Sequence, residues 1–222
     1  MNRTYRSENS LNPLKDAVKQ AVRNKIIENV FKPGQRIVET EIARDMQVSQ
    51  IPVREALCGL EEEGLIKSVK YTGSFVTEIN FKEMYHIYLL RSSIEANVIE
   101  MTLPKVTKAQ FGTLHDIIDS MEDNQRKHVD YSCTSALDIE FHRIIVNWGD
   151  IETYNRIWTM LNGHIRRFIH FAHPQIANKQ DRVYEDHKNL LRVLETRDVE
   201  EAKRVFKAHI MDAFNSGLFK VE

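Results

Sequence analysis

What this chain lacks bounds it first. It has two cysteines, Cys58 and Cys133, in 222 residues. Their separation fits neither a metal knuckle nor a redox pair, which predicts reduced thiols in a cytoplasmic protein. Eight glycines and five prolines are too few for a loop-rich or all-β chain, so helices are expected to dominate. No apolar run reaches the roughly 18 residues of a membrane span. The opening "MNRTYRSENSLNPLK" has no apolar centre of signal-peptide length. Excess charge of one sign is also missing: 31 Lys and Arg stand against 32 Asp and Glu, a net charge of −1. Residues 1–78 carry +1 and the remainder −2, so net charge says little about nucleic acid. Basic residues cluster locally instead, in "VRNK", "FKPGQR" and "IKSVK".

What is present divides near residues 78–81. Residues 1–12 are expected to be a flexible polar leader, residues 13–79 a first domain, and residues 80–222 a second, all-helical domain. Leu14, Ala17, Val18, Ala21, Val22, Ile26, Ile27 and Val30 follow helical spacing up to "KPG". "TEIARDM" predicts a second short helix with Ile42, Ala43 and Met46 inward. In "VSQIPVREALCGLEEEGLI", Val53, Ala56, Leu57 and Leu60 mark the buried side of a third. Ser49 is placed to cap it, Pro52 fits its first turn, and Gly64 supplies a stop. Gln50, Ile51, Arg54, Glu55 and Cys58 fall on the outer side. Alternating Ile66, Val69 and Tyr71, a turn at Thr72-Gly73-Ser74, and Phe75-Val76 predict a two-stranded hairpin. This order of elements is a winged helix-turn-helix. After Asn80 six helical patterns follow, at about 81–101, 107–128, 131–147, 151–171, 180–195 and 198–218. Their short breaks predict an antiparallel helical bundle, so the fold class is mostly α.

Two constellations carry chemistry. In a helix-turn-helix the third helix presents its N-terminal residues to base edges in the major groove. Arg54 can donate twice to guanine, Gln50 can pair with adenine, and Ile51 can pack on a thymine methyl. Ser49 and the helix-start amides can hold a phosphate, and Thr40 can add another such bond. Lys70, Thr72 and Gly73 at the hairpin tip can approach the minor groove or the backbone. The plain alternative is that Arg54 forms a surface salt bridge with a nearby glutamate, worth little.

The second constellation is Asp138, His142, His187 and His209. Asp138 and His142 are four apart in "ALDIEFHRIIV", one turn apart on one helix face. His187 and His209 lie about equally far either side of a turn near 196–198, so antiparallel packing brings them level. One carboxylate and three imidazoles suit a divalent transition metal, with zinc or nickel favoured over iron or manganese. Arg91 can face the same interior and pair with an effector carboxylate, or can pair with Glu95 or another acid. Arg166 and Arg167 invite the same reading on weaker grounds. Trp148, Trp158, Phe168 and Phe171 are expected in the core. His86, His115, His128, His164, His170 and His173 are read as ordinary core or surface residues.

The stretch "FKPGQRIVETEIARDMQVSQIPVREALCGLEEEGLI" with "YTGSFV" resembles the DNA-binding domain of GntR-type transcriptional regulators. That family usually has Arg after the capping Ser, where this chain has Gln50, and Thr where it has Ile51. A guanine contact from that position is therefore absent. The second half resembles the FCD ligand-binding domain of the FadR branch, through "LLRSSIEANVIE" and the ligand positions Asp138, His142, His187 and His209. "MTLPKV" replaces a usual alanine-rich run, and Asp150 stands where Asn is frequent. The resemblance implies an all-helical bundle holding a metal that helps bind a small carboxylate. The expected function is that of a homodimeric regulator, a repressor, reading a palindromic operator under effector control. Two rivals are a metalloenzyme using the Asp/His set and a DNA-binding scaffold with an empty bundle.

Overall fold

A computed structural model describes residues 13–127, 131–172, 179–215 and 219. The leader expected over residues 1–12 lies outside them, as do His128 and His173. By their contacts the described residues form two compact units, the first of residues 13–26 and 30–78, the second of residues 27–29 and those from 79 onward.

The first unit is built on α1 (Pro13–Ile27), α2 (Glu39–Asp45) and α3 (Gln50–Glu62), with strands β1 (Arg36–Ile37), β2 (Ile66–Val69) and β3 (Gly73–Val76). Val18, Val22, Ile26, Ile42, Val53, Ala56, Leu57, Leu60, Leu65 and Val76 form its core. The expected apolar face of α1 is too long. Leu14 and Val30 are more than half exposed, and the helix ends at Ile27, because Asn29 turns the chain through a positive φ of 57°. α3 ends as the sequence predicts: Gly64, at φ 70°, donates to the Glu61 carbonyl, and Leu65 donates to that of Leu60. This pair of bonds is the Schellman arrangement that glycine favours.

The sheet corrects the sequence reading twice. It has three strands, in the order β1-β3-β2, all antiparallel. The hairpin turn falls at Lys70–Thr72, not at Thr72–Ser74: Val69 pairs with Gly73, and the Thr72 N–H donates to the Val69 carbonyl at 2.9 Å. Tyr71 therefore sits in the turn, at φ 64°, rather than in a strand. β1 is two residues long and has no periodicity of its own to read.

The second unit holds α4 (Phe81–Thr102), α5 (Lys108–Arg126), α6 (Tyr131–Asn147), α7 (Glu152–Ala172), α8 (Lys179–Glu195), α9 (Val199–Ile210) and the short α10 (Asp212–Asn215). Among the described residues no strand follows Val76. Helix starts are chemically marked. Asn80 caps α4 by accepting from the Glu83 N–H, Thr107 and Gln110 form a capping box on α5, and Asp198 caps α9 by accepting from the Glu201 N–H. The final helix, expected to run to about residue 218, instead breaks at Met211. Arg197 locks the α8–α9 turn, donating to the Leu103 and Val106 carbonyls at 2.8 and 2.7 Å. Trp158 and Phe168 are fully buried, whereas Trp148 and Phe171 pack against the core from half-buried positions. Among the described residues no helix is long and apolar enough to cross a membrane.

Candidate functional site

The outer side of α3 is as bare as its spacing predicts. Gln50, Ile51, Arg54, Glu55 and Cys58 are exposed, and Ile51 shows 68 % of its surface. Ser49 has the extended backbone of a cap residue, but its side chain makes no capping hydrogen bond, so its hydroxyl is not committed to the helix start. Val38 rather than Thr40 occupies the cap position of α2, and Thr40 is exposed in the first turn. Arg54 donates from Nε to Glu39 Oε2 at 2.6 Å, and its Nη2 lies 3.4 Å from Gln50 Oε1. The salt bridge envisaged as the alternative is therefore present, yet it is exposed and readily exchanged for a stronger partner. Lys70 and Thr72 lie in the hairpin turn, with Gly73 as the first residue of β3. At φ 122° Gly73 holds a backbone conformation that side chains avoid, and an added Cβ would come within 3.1 Å of Arg36 Nε.

The second site lies inside the helical unit. His142, His187 and His209 each offer a ligand atom, and these atoms lie within 4.8 Å of one another. Asp138 joins them, with Oδ2 3.6 Å from His187 Nε2. Helix geometry explains the convergence. Asp138 and His142 share one face of α6, and the α8–α9 hairpin brings His187 and His209 to similar heights. Asp138, His142 and His187 are buried, and His209 is half-buried.

Each buried ring is held in one orientation. His142 Nδ1 lies 2.6 Å from Glu95 Oε2, and His187 Nδ1 lies 2.8 Å from the Val183 carbonyl. Both contacts are met by a proton on Nδ1, and the neutral ring so arranged turns its Nε2 lone pair toward the cluster. His142 Nε2 is buried and has no hydrogen-bond partner among the described residues. A buried acceptor left in this way costs about 1–3 kcal/mol unless something is bound there. The donor set fits a divalent transition metal on this observation: three imidazoles, one carboxylate, and a glutamate behind the first ring.

Glu95 was not singled out from the sequence as a metal-site residue. Its signal was the four-residue spacing from Arg91 in "RSSIE". In the structure Arg91 Nε donates to Glu95 Oε1 at 2.9 Å within α4, so the pair is intrahelical. Burial pushes the Glu95 carboxyl up, but His142 and Arg91 outweigh it and hold it below the ordinary carboxylate range. Arg91 also keeps Nη2 buried with no hydrogen-bond partner among the described residues. It lines a cavity of about 20 Å³ with Tyr88, Asp138, His209 and Asp212. That is space for about one water. On its other side His209 borders an outer cleft of about 220 Å³ between α8 and α9, lined also by Arg182, Asp186 and Asn189. The remaining described histidines are placed differently. His115 pairs with Glu195 at the surface, and His170 Nε2 lies 3.0 Å from Ser135 Oγ.

Comparison with known proteins agrees with both halves. Residues 14–76 match the bacterial regulatory proteins of the gntR family, and residues 86–212 match the FCD domain. The chain is 26% identical over 193 residues to the HTH-type transcriptional regulator YdhC of Bacillus subtilis, across 85% of this chain and 84% of that protein. It is 24% identical over 216 residues to the HTH-type transcriptional repressor RspR of Escherichia coli, across 94% and 90%. A GntR transcriptional regulator from Rhodococcus sp. RHA1 shares the fold, with a TM-score of 0.78 at 19% identity over 93% of this chain and 99% of that one. Matched in both halves, the chain belongs to the GntR family of bacterial regulatory proteins, carries an FCD domain, and is a DNA-binding transcriptional regulator, not an enzyme.

Proposed function

We propose that this regulator is a cytoplasmic, homodimeric repressor that reads a palindromic operator and senses a small carboxylate at a metal held by Asp138, His142, His187 and His209. The single observation that carries the sensing half is the buried, unpartnered Nε2 of His142, aimed at two further imidazoles and backed by Glu95. Zinc or nickel suits the three nitrogens and one carboxylate, with iron or manganese as weaker fits. When bound, the ion supplies a fixed positive charge that anchors one end of an anion. The chain's own contribution is Arg91. Glu95 holds its Nε, the faces of Tyr88 and Trp158 lie 5.6 and 5.3 Å from its guanidinium carbon, and Nη2 is left to donate to a carboxylate oxygen.

The cavity beside Arg91 is too small for a carboxylate larger than about a water. An effector that reaches Arg91 there would displace lining side chains of α4, α6 and α9, linking occupancy to a change of conformation. An effector that favours one conformation shifts DNA affinity by the same coupling, typically about 5- to 150-fold.

On the DNA side, Gln50, Ile51 and Arg54 would meet base edges. Thr40, Ser49, Lys70, Thr72 and Gly73 would meet phosphates or the minor groove. Domain limits at residues 13–79 and 80–222 belong to the same reading. The repressor assignment draws on RspR, which is named a repressor.

The test pairs two measurements on protein purified without chelator. Metal analysis is expected to give about one divalent ion per chain, and H142A is expected to lose it. Mobility shift on the neighbouring promoter is expected to show binding that R54A weakens. A metal-free protein that still binds DNA would favour the scaffold with an empty bundle.

A further inference from the structure

Arg54 stands on the outer side of α3 already held by a residue of another helix. Its Nε donates to Glu39 Oε2 at 2.6 Å. Glu39 opens α2 and shows 34 % of its side chain, against 64 % for Arg54, so the carboxylate is the more fixed member of the pair. A guanidinium carries five N–H donors in a planar fork. Glu39 takes the one on Nε, at the side of the fork. Nη2 lies 3.4 Å from Gln50 Oε1, a long contact, and Nη1 has no hydrogen-bond partner among the described residues. The two Nη groups are therefore the part of the side chain left for a ligand. An exposed salt bridge adds little to stability, so stability does not account for the arrangement.

We propose that Glu39 is a positioning residue for operator reading: it holds Arg54 by Nε so that the two Nη groups meet one guanine end-on. The inference rests on the reading that α3 enters the major groove. Guanine presents O6 and N7 there as adjacent acceptors, and two N–H groups of one arginine match them. The Glu39 bond uses neither Nη group, so it persists in the complex, and the longer Gln50 contact is the one that yields. A free arginine side chain must be ordered on binding, whereas one held by Nε is ordered beforehand. Glu39 also decides what Arg54 does on the wrong sequence. Away from guanine the guanidinium stays paired, and its charge is not released to seek a phosphate. Discrimination at that base pair thus depends on Glu39 as well as on Arg54, although Glu39 touches no base.

The experiment uses full-length protein and a duplex selected by it from a random-sequence pool, with affinity read at fixed salt. Each G·C pair is replaced in turn by A·T, and the pair read by Arg54 is the one whose replacement Arg54→Ala no longer feels. At that pair the wild type is expected to prefer G·C by about 5- to 150-fold. Glu39→Ala is expected to cut the preference to about twofold, chiefly by weakening the G·C duplex, and to leave the preferences at other pairs as they were. Adding Glu39→Ala to Arg54→Ala is expected to change no preference further, because Glu39 acts through Arg54. A wild-type preference in Glu39→Ala overturns the proposal. So does an equal loss on every duplex, which would assign Glu39 to folding. A further loss of preference in the double variant also overturns it, because Glu39 would then meet DNA itself. An Arg54→Ala variant that still feels every replacement overturns the α3 reading instead.

Discussion

Glu95 accepts from two partners at once, with Oε1 taking the Arg91 Nε–H and Oε2 taking the His142 Nδ1–H. Both partners are buried, so the carboxylate orients an imidazole and compensates a cation. Glu95→Gln is expected to lower metal affinity about 10- to 100-fold, as loss of a group behind a ligand does. It also leaves the Arg91 charge without its counter-ion, a loss of about 3–5 kcal/mol in buried pairs. Competition with a chromophoric chelator measures the first effect and urea unfolding the second. Unchanged metal affinity would mean that Glu95 serves folding alone. The four converging side chains were legible in the sequence because they follow helical spacing and chain order. Glu95 was named there only as one salt-bridge partner for Arg91, because a carboxylate on the exposed side of a helix has the same four-residue spacing from an arginine.

At the scale of elements, the ends of helices decide where the sites sit. Asp198 starts α9, the helix that carries His209, by accepting the Glu201 N–H at 3.0 Å. Asp198→Ala is expected to cost about 1 kcal/mol, read as a lower denaturant midpoint. In the other unit the end of α3 is tied to α1: Arg23 donates to both oxygens of Glu63, and Lys19 Nζ lies 2.7 Å from Oε1. Burial pushes Glu63 up, yet the bonds from Arg23 and Lys19 outweigh it and leave its pKa below the ordinary 4.5. A carboxyl depressed in the folded state binds its proton less readily there than in the unfolded chain. Its stabilisation is therefore complete above about pH 4.5 and is lost as pH falls through the depressed value. Glu63→Gln is expected to flatten the acid limb of the stability–pH curve, and an unaltered limb would assign that acid sensitivity elsewhere. The helices were legible from periodicity and caps. β1 was not, because two residues are a strand only by virtue of the β3 edge they pair with.

For the whole molecule, ligand binding and stability are linked. An ion that binds the folded chain alone raises stability by about 2.7 kcal/mol at a hundred times its dissociation constant. Added zinc or nickel is expected to raise the melting temperature of the chelator-treated protein, and H187A is expected to abolish the rise. A rise that survives H187A would place the ion elsewhere. By itself the sequence determined the fold class, the family and the four side chains that converge in the helical unit. All three are written in local spacing, which backbone geometry turns into faces of helices. Only the tertiary structure decided that Glu95 stands behind His142, that Arg91 keeps one donor uncommitted, and that Tyr71 projects from a strained turn. Those facts depend on which helices and strands meet, and contacts between residues 47 positions apart, as between Glu95 and His142, leave no periodic trace in the chain.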